Sequence, residues 1–144
     1  MAEKHINAQA KCLRMRGEAK RWFSEALWDL ETAKILREKG RYNSSVFYAH
    51  QSAEKAVKAL LYSLNEVPWG HSVRELLERF FERIGEREEK MLSFARELDR
   101  HYITSRYPDS LPSGTPHEAY DEETARRAVE IAERVVEYAR KFIR

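Results

Sequence analysis

The sequence has few of the residues that make turns or cross-links: one cysteine, five glycines and four prolines in 144 residues. The lone Cys12 excludes a disulfide framework, and no zinc-binding spacing can be drawn without a second cysteine near paired histidines. Few glycines and prolines disfavour an all-β sandwich. No apolar run approaches the roughly 20 residues of a membrane span, and the first residues lack the apolar core of a signal peptide. We expect a helical, cytoplasmic protein with no metal or other cofactor.

An excess of one charge is also lacking. Lys and Arg total 26 against 24 Asp and Glu, a formal net charge of +2, which is too small to indicate nucleic-acid binding by itself. Any basic site must therefore be local. The length and the 42% hydrophobic content fit one domain with one core. We predict a partly ordered N-terminal arm over residues 1–16 and a single helical domain over residues 17–144.

Apolar residues recur at amphipathic helical spacing through most of the chain. Short connections between successive helices favour antiparallel neighbours. We therefore predict an all-α fold, an up-and-down four-helix bundle with an additional short helix, five helices in total. The predicted helices cover residues 18–39 and about 43–65, begin after caps at Ser72 and Asp121, and include one around Met91 that must end before Pro108.

The stretch RELDRHYITSRYPD, from Arg96 to Asp109, concentrates side chains that can do chemistry: three arginines, one histidine and two tyrosines in fourteen residues. A Pro-rich segment follows, which we expect to be an irregular loop over residues 105–120. Tyrosine and arginine together can stack on a base and hold a phosphate. Structural roles as caps and loop anchors are the alternative. The candidate nucleotide- or RNA-binding residues are Arg100, Tyr102, Arg106, Tyr107 and Asp109.

A second polar stripe, Gln51, Glu54 and Lys58, lies with His50 on the second predicted helix. Glu54 and Lys58 are in the favourable i, i+4 order for an ion pair. A paired or solvated face explains such a stripe, and a binding site is the alternative.

Arg96 and His101 are candidate catalytic residues. Metal-independent RNA cleavage needs a proton-transfer group near the 2′-hydroxyl and a fixed positive charge for the phosphoryl oxygens. Five positions on an ideal helix differ by about 140°, so the two side chains converge only if the helix unwinds or a second subunit supplies one of them. The structural alternative is an exposed Arg96 paired with Asp99 or with a neighbour of Arg100, and a histidine that favours the negative end of a helix dipole.

Three segments together resemble the HEPN domain family. Residues 42–61 carry a Gln-x-x-Glu-Lys-x-x-Lys pattern, HSVRELL at 71–77 resembles the entry to the next helix, and LDRHYITSRYPD at 98–109 is the most specific segment. The resemblance implies a helical-bundle homodimer that binds nucleotides or RNA and works with a separate minimal nucleotidyltransferase in a toxin-antitoxin-like system. Some relatives are metal-independent ribonucleases with an Arg-x(4 to 6)-His motif, which Arg96 and His101 match.

Three functions follow from these observations. The first is a nucleotide- or RNA-binding module that partners a nucleotidyltransferase. The second is a metal-independent ribonuclease toxin that uses Arg96 and His101. The third is a helical interaction module without nucleotide binding, in which exposed apolar residues such as Trp28 or Trp69 contact a protein partner.

Overall fold

The computed structural model describes residues 2–143, with side chains described from residue 7 onward. Within this range the chain is helical and has no strand, which confirms the predicted all-α class. Two helices of four residues and one 3-10 turn occur in addition to five longer helices. The helices are α1 (Ala2–Glu38), α2 (Tyr42–Ser63), α3 (Val73–Ile84), α4 (Glu89–Asp99), α5 (His101–Thr104), α6 (Pro116–Ala119) and α7 (Glu122–Arg140), and the 3-10 turn is Pro108–Ser110.

Helix α2 lies at the centre of the molecule and packs against α1, α3, α4 and α7. Thirteen of its 22 residues are buried, so small side chains are needed where neighbouring helices approach. Ala53 and Ala56 are fully buried on this helix. Ser45 and Ser52 donate to the carbonyl oxygens of two α1 residues, each at 2.7 Å. These short hydrogen bonds from α2 side chains to the α1 backbone hold the two helices close together.

Helix α1 continues through the segment predicted as an arm. Residues 2–16 are helical and join the rest of α1 without a break. Among the side chains described on α1, Met15 is the first that is buried, and those of residues 7–14 are exposed apart from a half-buried Cys12. At 1.5 Å per residue, a 37-residue helix is about 55 Å long, so its first turns extend past the core. Partial order in this segment stays a prediction.

The helix ends follow local signals in the sequence. Ser72 Oγ accepts a hydrogen bond from the backbone N–H of Glu75 at 3.1 Å, which confirms the predicted cap of α3. The Asp121 carboxylate accepts the N–H of Thr124 at 2.9 Å and likewise caps α7. Gly40 follows α1 with φ of 75°, a left-handed conformation that glycine adopts without strain.

Helices α4 and α5 are nearly continuous. Arg100, between them, has right-handed helical angles (φ −61°, ψ −24°), so the chain keeps its direction into α5. Asn43 Nδ2 donates to the carbonyl oxygen of Ser105 at 3.1 Å, which ties the end of α5 to the start of α2. The expectation of an irregular loop over 105–120 is incomplete, because this segment contains the 3-10 turn and α6. None of the helices described is long and apolar enough to cross a membrane.

Candidate functional site

Arg106 lies in an aromatic cluster where α5 meets α2. Its guanidinium carbon is 4.5 Å from the ring centroid of Phe47, 4.7 Å from Tyr102 and 4.9 Å from Tyr107. Nε and Nη2 both donate to the carbonyl oxygen of Tyr102, at 3.0 and 2.8 Å. Among the side chains described, from residue 7 onward, and the backbone, the other terminal nitrogen, Nη1, has no hydrogen-bond partner, and Tyr107 is 48% exposed. The cluster therefore offers a fixed cation with unused donors beside an open aromatic ring.

Tyr102 links this cluster to the turn before α3. Its ring stacks on His71, with centroids 5.1 Å apart and planes 16° apart, and its other neighbour is the His50 ring at 5.0 Å. His50 is fully buried, whereas the His71 side chain is 61% exposed. The stack thus forms a second exposed ring surface on the same side of α2.

The predicted Glu54–Lys58 ion pair is confirmed, with 3.0 Å between Lys58 Nζ and Glu54 Oε2. Both residues are buried, at 3% and 8% exposure. Glu54 Oε1 also lies 3.2 Å from His71 Nδ1, and Lys58 Nζ lies 5.4 Å from the Trp22 ring centroid. Gln51 is half-buried, and its side chain has no hydrogen bond among the described residues. Most of this stripe is therefore a paired interior network, and a binding role for it stays a prediction.

Asp99 connects α4 to α2 and to the start of α3. Its carboxylate accepts hydrogen bonds from His50 Nε2 at 3.0 Å, Ser72 Oγ at 2.9 Å, and the amides of Val73 and Arg74 at 2.9 and 3.1 Å. Burial would raise the pKa of this carboxyl, but the bond from His50 and those from the two amides and the serine outweigh it, so the pKa of Asp99 lies below its usual 3.8. A charged Asp99 thus occupies the start of α3, where an anionic ligand would otherwise be favoured.

The sequence-based pairing of Arg96 with Asp99 is wrong, because Asp99 is turned toward His50 and the start of α3. Arg96 is exposed and forms no hydrogen bond or ion pair with any described residue. His101, which is predicted to act with Arg96 in catalysis, lines a cleft of about 250 Å³ between α4–α5 and α7. Arg96 does not line this cleft. Because the helical path continues through Arg100, a single chain does not bring the two candidates together.

His101 is held by a residue that the sequence analysis did not assign to the site. Its Nδ1 lies 2.8 Å from the hydroxyl of Tyr120, which is buried and also lies 2.8 Å from Thr104 Oγ1. Burial lowers the pKa of His101 below its usual 6.5; Glu97 opposes this shift, and the nearby charge of Arg100 adds to it. The ring is therefore neutral at pH 7. Nineteen residues separate the partners, and no local motif signals such a pair.

The remaining predicted residues lie apart from these contacts. Arg100 is exposed without an ion pair, and Asp109 is exposed in the 3-10 turn without a side-chain hydrogen bond, as far as the described residues show. Trp28 and Trp69, candidates for a protein contact, are 71% and 68% exposed. No group of His, Cys, Asp or Glu side chains within the described chain is arranged to hold a metal ion.

Comparison with known proteins gives concordant matches. The HEPN domain family model matches residues 19–142, which confirms the resemblance drawn from the three segments. A candidate toxin of Methanocaldococcus jannaschii is 30% identical over 134 residues, 88% of each chain. The crystal structure of TT1696 from Thermus thermophilus has a TM-score of 0.83 at 31% identity over 87% of this chain and 98% of that one. For the archaeal HEPN homologue ST0689 the TM-score is 0.75 at 33% identity, over 88% and 98%.

Proposed function

This chain belongs to the HEPN domain family, and from that premise we propose that it is a nucleotide- or RNA-binding module. It forms a homodimer and acts with a separate nucleotidyltransferase protein in a toxin-antitoxin-like pair. The similarity to a candidate toxin over most of both chains supports the toxin-like setting. The observation that carries the binding function is the cluster of Arg106, Tyr102 and Tyr107, in which a positioned guanidinium adjoins an exposed ring.

The two groups have separate tasks in this proposal. Tyr107, half exposed beside the guanidinium, supplies a face on which a nucleobase stacks, an interaction worth about 1–3 kcal/mol per base. Arg106 supplies the free N–H groups of its Nη1 to a phosphate oxygen. Because the carbonyl oxygen of Tyr102 and the Phe47 ring already hold Arg106, little side-chain freedom is lost when the ligand binds.

Binding of ATP and of a short labelled RNA oligomer tests this proposal. We expect Tyr107→Ala to weaken binding about tenfold, the equivalent of one lost stacking contact. Arg106→Lys keeps the charge but loses the planar fork, and should weaken binding to a similar degree. Trp69→Ala removes another exposed ring and serves as the matched control. Wild-type affinity in both the Tyr107 and the Arg106 variants would overturn the assignment of this cluster.

The partner part of the proposal has its own test. The chain mass is 17.1 kDa, so light scattering separates a homodimer from a monomer directly. Coexpression with a minimal nucleotidyltransferase, followed by affinity capture of that protein, should retain this chain. A monomeric protein that the nucleotidyltransferase does not retain would contradict both the homodimer and the partnership. Nucleotide binding is tested separately by the affinity measurements.

A metal-independent ribonuclease is the second candidate function. It is favoured by the neutral His101 in the cleft, since an uncharged imidazole can accept a proton from a ribose hydroxyl. The positive charge would come from Arg96 of a second copy, because one chain keeps the two residues apart. RNA incubated with the protein in chelator should be cleaved, and His101→Ala and Arg96→Ala should each abolish cleavage. Cleavage that survives His101→Ala excludes this histidine as the acid or base.

A further inference from the structure

A chain of three hydrogen bonds lies behind His101. Thr104 Oγ1 is 3.1 Å from the carbonyl oxygen of Arg100 and 2.8 Å from the hydroxyl of Tyr120. That hydroxyl is in turn 2.8 Å from His101 Nδ1. The chain connects the backbone of the α4–α5 junction to the imidazole through a tyrosine that follows α6.

Only one placement of the protons satisfies all three contacts. A carbonyl oxygen can only accept, so the single hydroxyl proton of Thr104 goes to Arg100. Thr104 Oγ1 then accepts the proton of Tyr120, and the Tyr120 oxygen has only lone pairs left for His101. His101 must therefore carry its proton on Nδ1. In a neutral imidazole the other nitrogen, Nε2, is then an acceptor.

We propose that Tyr120 and Thr104 are positioning residues that fix His101 as the Nδ1–H tautomer, so that Nε2 accepts a hydrogen bond from a ribose hydroxyl of the bound nucleotide or RNA. The identity of the ligand rests on the proposed binding function, whereas the tautomer rests on the hydrogen bonds alone. Burial supports this state, because it holds the pKa of His101 below its usual value and keeps the ring uncharged.

An acceptor nitrogen on His101 favours a neutral donor over a phosphate. Glu97 and Glu123 both line the cleft, and Arg127 is already paired with Glu97 at 3.0 Å. Arg100 at the helix junction and His50 from α2 act on the ring from its other sides. Because Glu123 is likewise paired, with Arg126, the acceptor nitrogen itself decides the ligand: the lone pair on Nε2 repels phosphate oxygens, whereas a hydroxyl can donate to it. The 2′-hydroxyl is the group by which proteins distinguish RNA from DNA.

Nitrogen-15 NMR of the histidine side chains tests the tautomer without any ligand. In the wild type at neutral pH, the His101 signals, assigned by their loss in His101→Gln, should show a protonated Nδ1 and an unprotonated Nε2. Thr104→Val removes the acceptor for the Tyr120 proton. The tyrosine hydroxyl then donates to His101 Nδ1, so the imidazole proton moves to Nε2. Tyr120→Phe removes the constraint and should give a mixture. Tyr62→Phe, a tyrosine change elsewhere, should leave the signals unchanged.

The outcomes of the NMR test are decisive in both directions. A wild-type Nε2–H signal, or a tautomer that stays the same in both Thr104→Val and Tyr120→Phe, would overturn the positioning roles. The two variants change different members of the chain of bonds, so the test stays usable if one of them does not fold, as judged by its melting curve.

Binding of a short RNA oligomer and of its 2′-deoxy counterpart tests the ribose contact. The wild type should prefer RNA by about 2- to 10-fold, the range of one net hydrogen bond. Thr104→Val, which reverses the tautomer, should lose most of that preference, and Tyr120→Phe, which leaves a mixture, should lose a smaller part of it. Both variants should still bind the DNA oligomer as the wild type does. Equal wild-type affinity for the two oligomers would overturn the ribose contact. If neither oligomer bound, the proposed function would fail, and with it the ligand half of this inference, while the NMR result would still decide the tautomer.

Discussion

His50 Nε2 donates to Asp99 Oδ1 over 3.0 Å, although the two residues are 49 positions apart in the chain. The histidine is fully buried in the central helix α2, and the same carboxylate holds the first amides of α3. Three helices are thus joined through one side chain. Because α5 begins two residues after Asp99, this joint also positions His101 and the Arg106 cluster.

Asp99→Asn should destabilise the protein by about 2–4 kcal/mol, because an amide cannot replace a carboxylate that accepts four hydrogen bonds and pairs with a buried imidazole. Urea unfolding measures the difference. Asp109→Asn is the matched control, since Asp109 is exposed and makes no side-chain hydrogen bond among the described residues, and it should change stability by less than about 0.5 kcal/mol. Equal effects of the two substitutions would contradict the role given to Asp99.

The Asp99 contribution has a defined pH dependence. Its folded-state pKa is lowered below 3.8, so its stabilisation is fully present above the unfolded-state pKa of about 3.9 and is lost as the pH falls through the lower, folded-state value. The stability difference between the wild type and Asp99→Asn should be constant from neutral pH down to about pH 5 and should shrink below about pH 4. A difference that grows on acidification has the wrong sign.

The Glu54–Lys58 pair should behave as a buried ion pair. Glu54→Gln leaves Lys58 with only 8% exposure and no charged partner, and should cost about 3–5 kcal/mol. Replacing Lys58 as well, by Met, should recover much of that loss because no buried charge remains. Thermal or urea unfolding of the two single variants and the double variant gives the coupling energy. Additive losses would show that the two side chains do not stabilise each other.

The buried face of α2 should be intolerant of larger side chains. Ala53 is fully buried on this helix, which packs against α1, α3, α4 and α7, so Ala53→Leu should destabilise by about 1–3 kcal/mol through overpacking. Ala8→Leu makes the same change on the exposed face of α1 and should be within about 0.5 kcal/mol of the wild type. A stable Ala53→Leu protein would mean that α2 is packed less tightly around Ala53 than its full burial indicates.

His101 should titrate below its usual value, and nearby charges should move its pKa in opposite directions. Glu97→Gln removes a charge that raises the pKa, so the midpoint should fall, whereas Arg100→Gln should raise it. Proton NMR of the ring measures both shifts. Since the folded-state pKa is lowered, the favourable neutral state contributes fully above the unfolded-state pKa of about 6.5 and is lost as the pH falls through the folded value. Shifts of the same sign in both variants would contradict this arrangement.

Features set by neighbouring residues could be predicted from the sequence. The caps at Ser72 and Asp121 act within three residues, and Glu54 and Lys58 are one helical turn apart. The all-α class follows in the same way, because apolar spacing is a property of each segment. The same local signals also suggested a nearby partner for Arg96, which the structure does not bear out.

Contacts between distant segments could not be predicted. Asp99 caps a helix that begins 26 residues earlier, and Tyr120 reaches His101 across nineteen residues. Each contact depends on how α4 and α5 pack against other elements, and residue type alone does not specify that packing. A polar stripe on a helix likewise does not show whether its side chains face solvent or the interior. Glu54, for example, is buried.

Because a side chain of α4 caps α3, two backbone amides of α3 report on motion between these helices. The N–H groups of Val73 and Arg74 are bonded to Asp99, so deuterium reaches them only when these bonds between the two helices break. Their exchange rates therefore report the opening of the joint that carries α5. A ligand that stabilises this joint would slow exchange at both amides without touching either one.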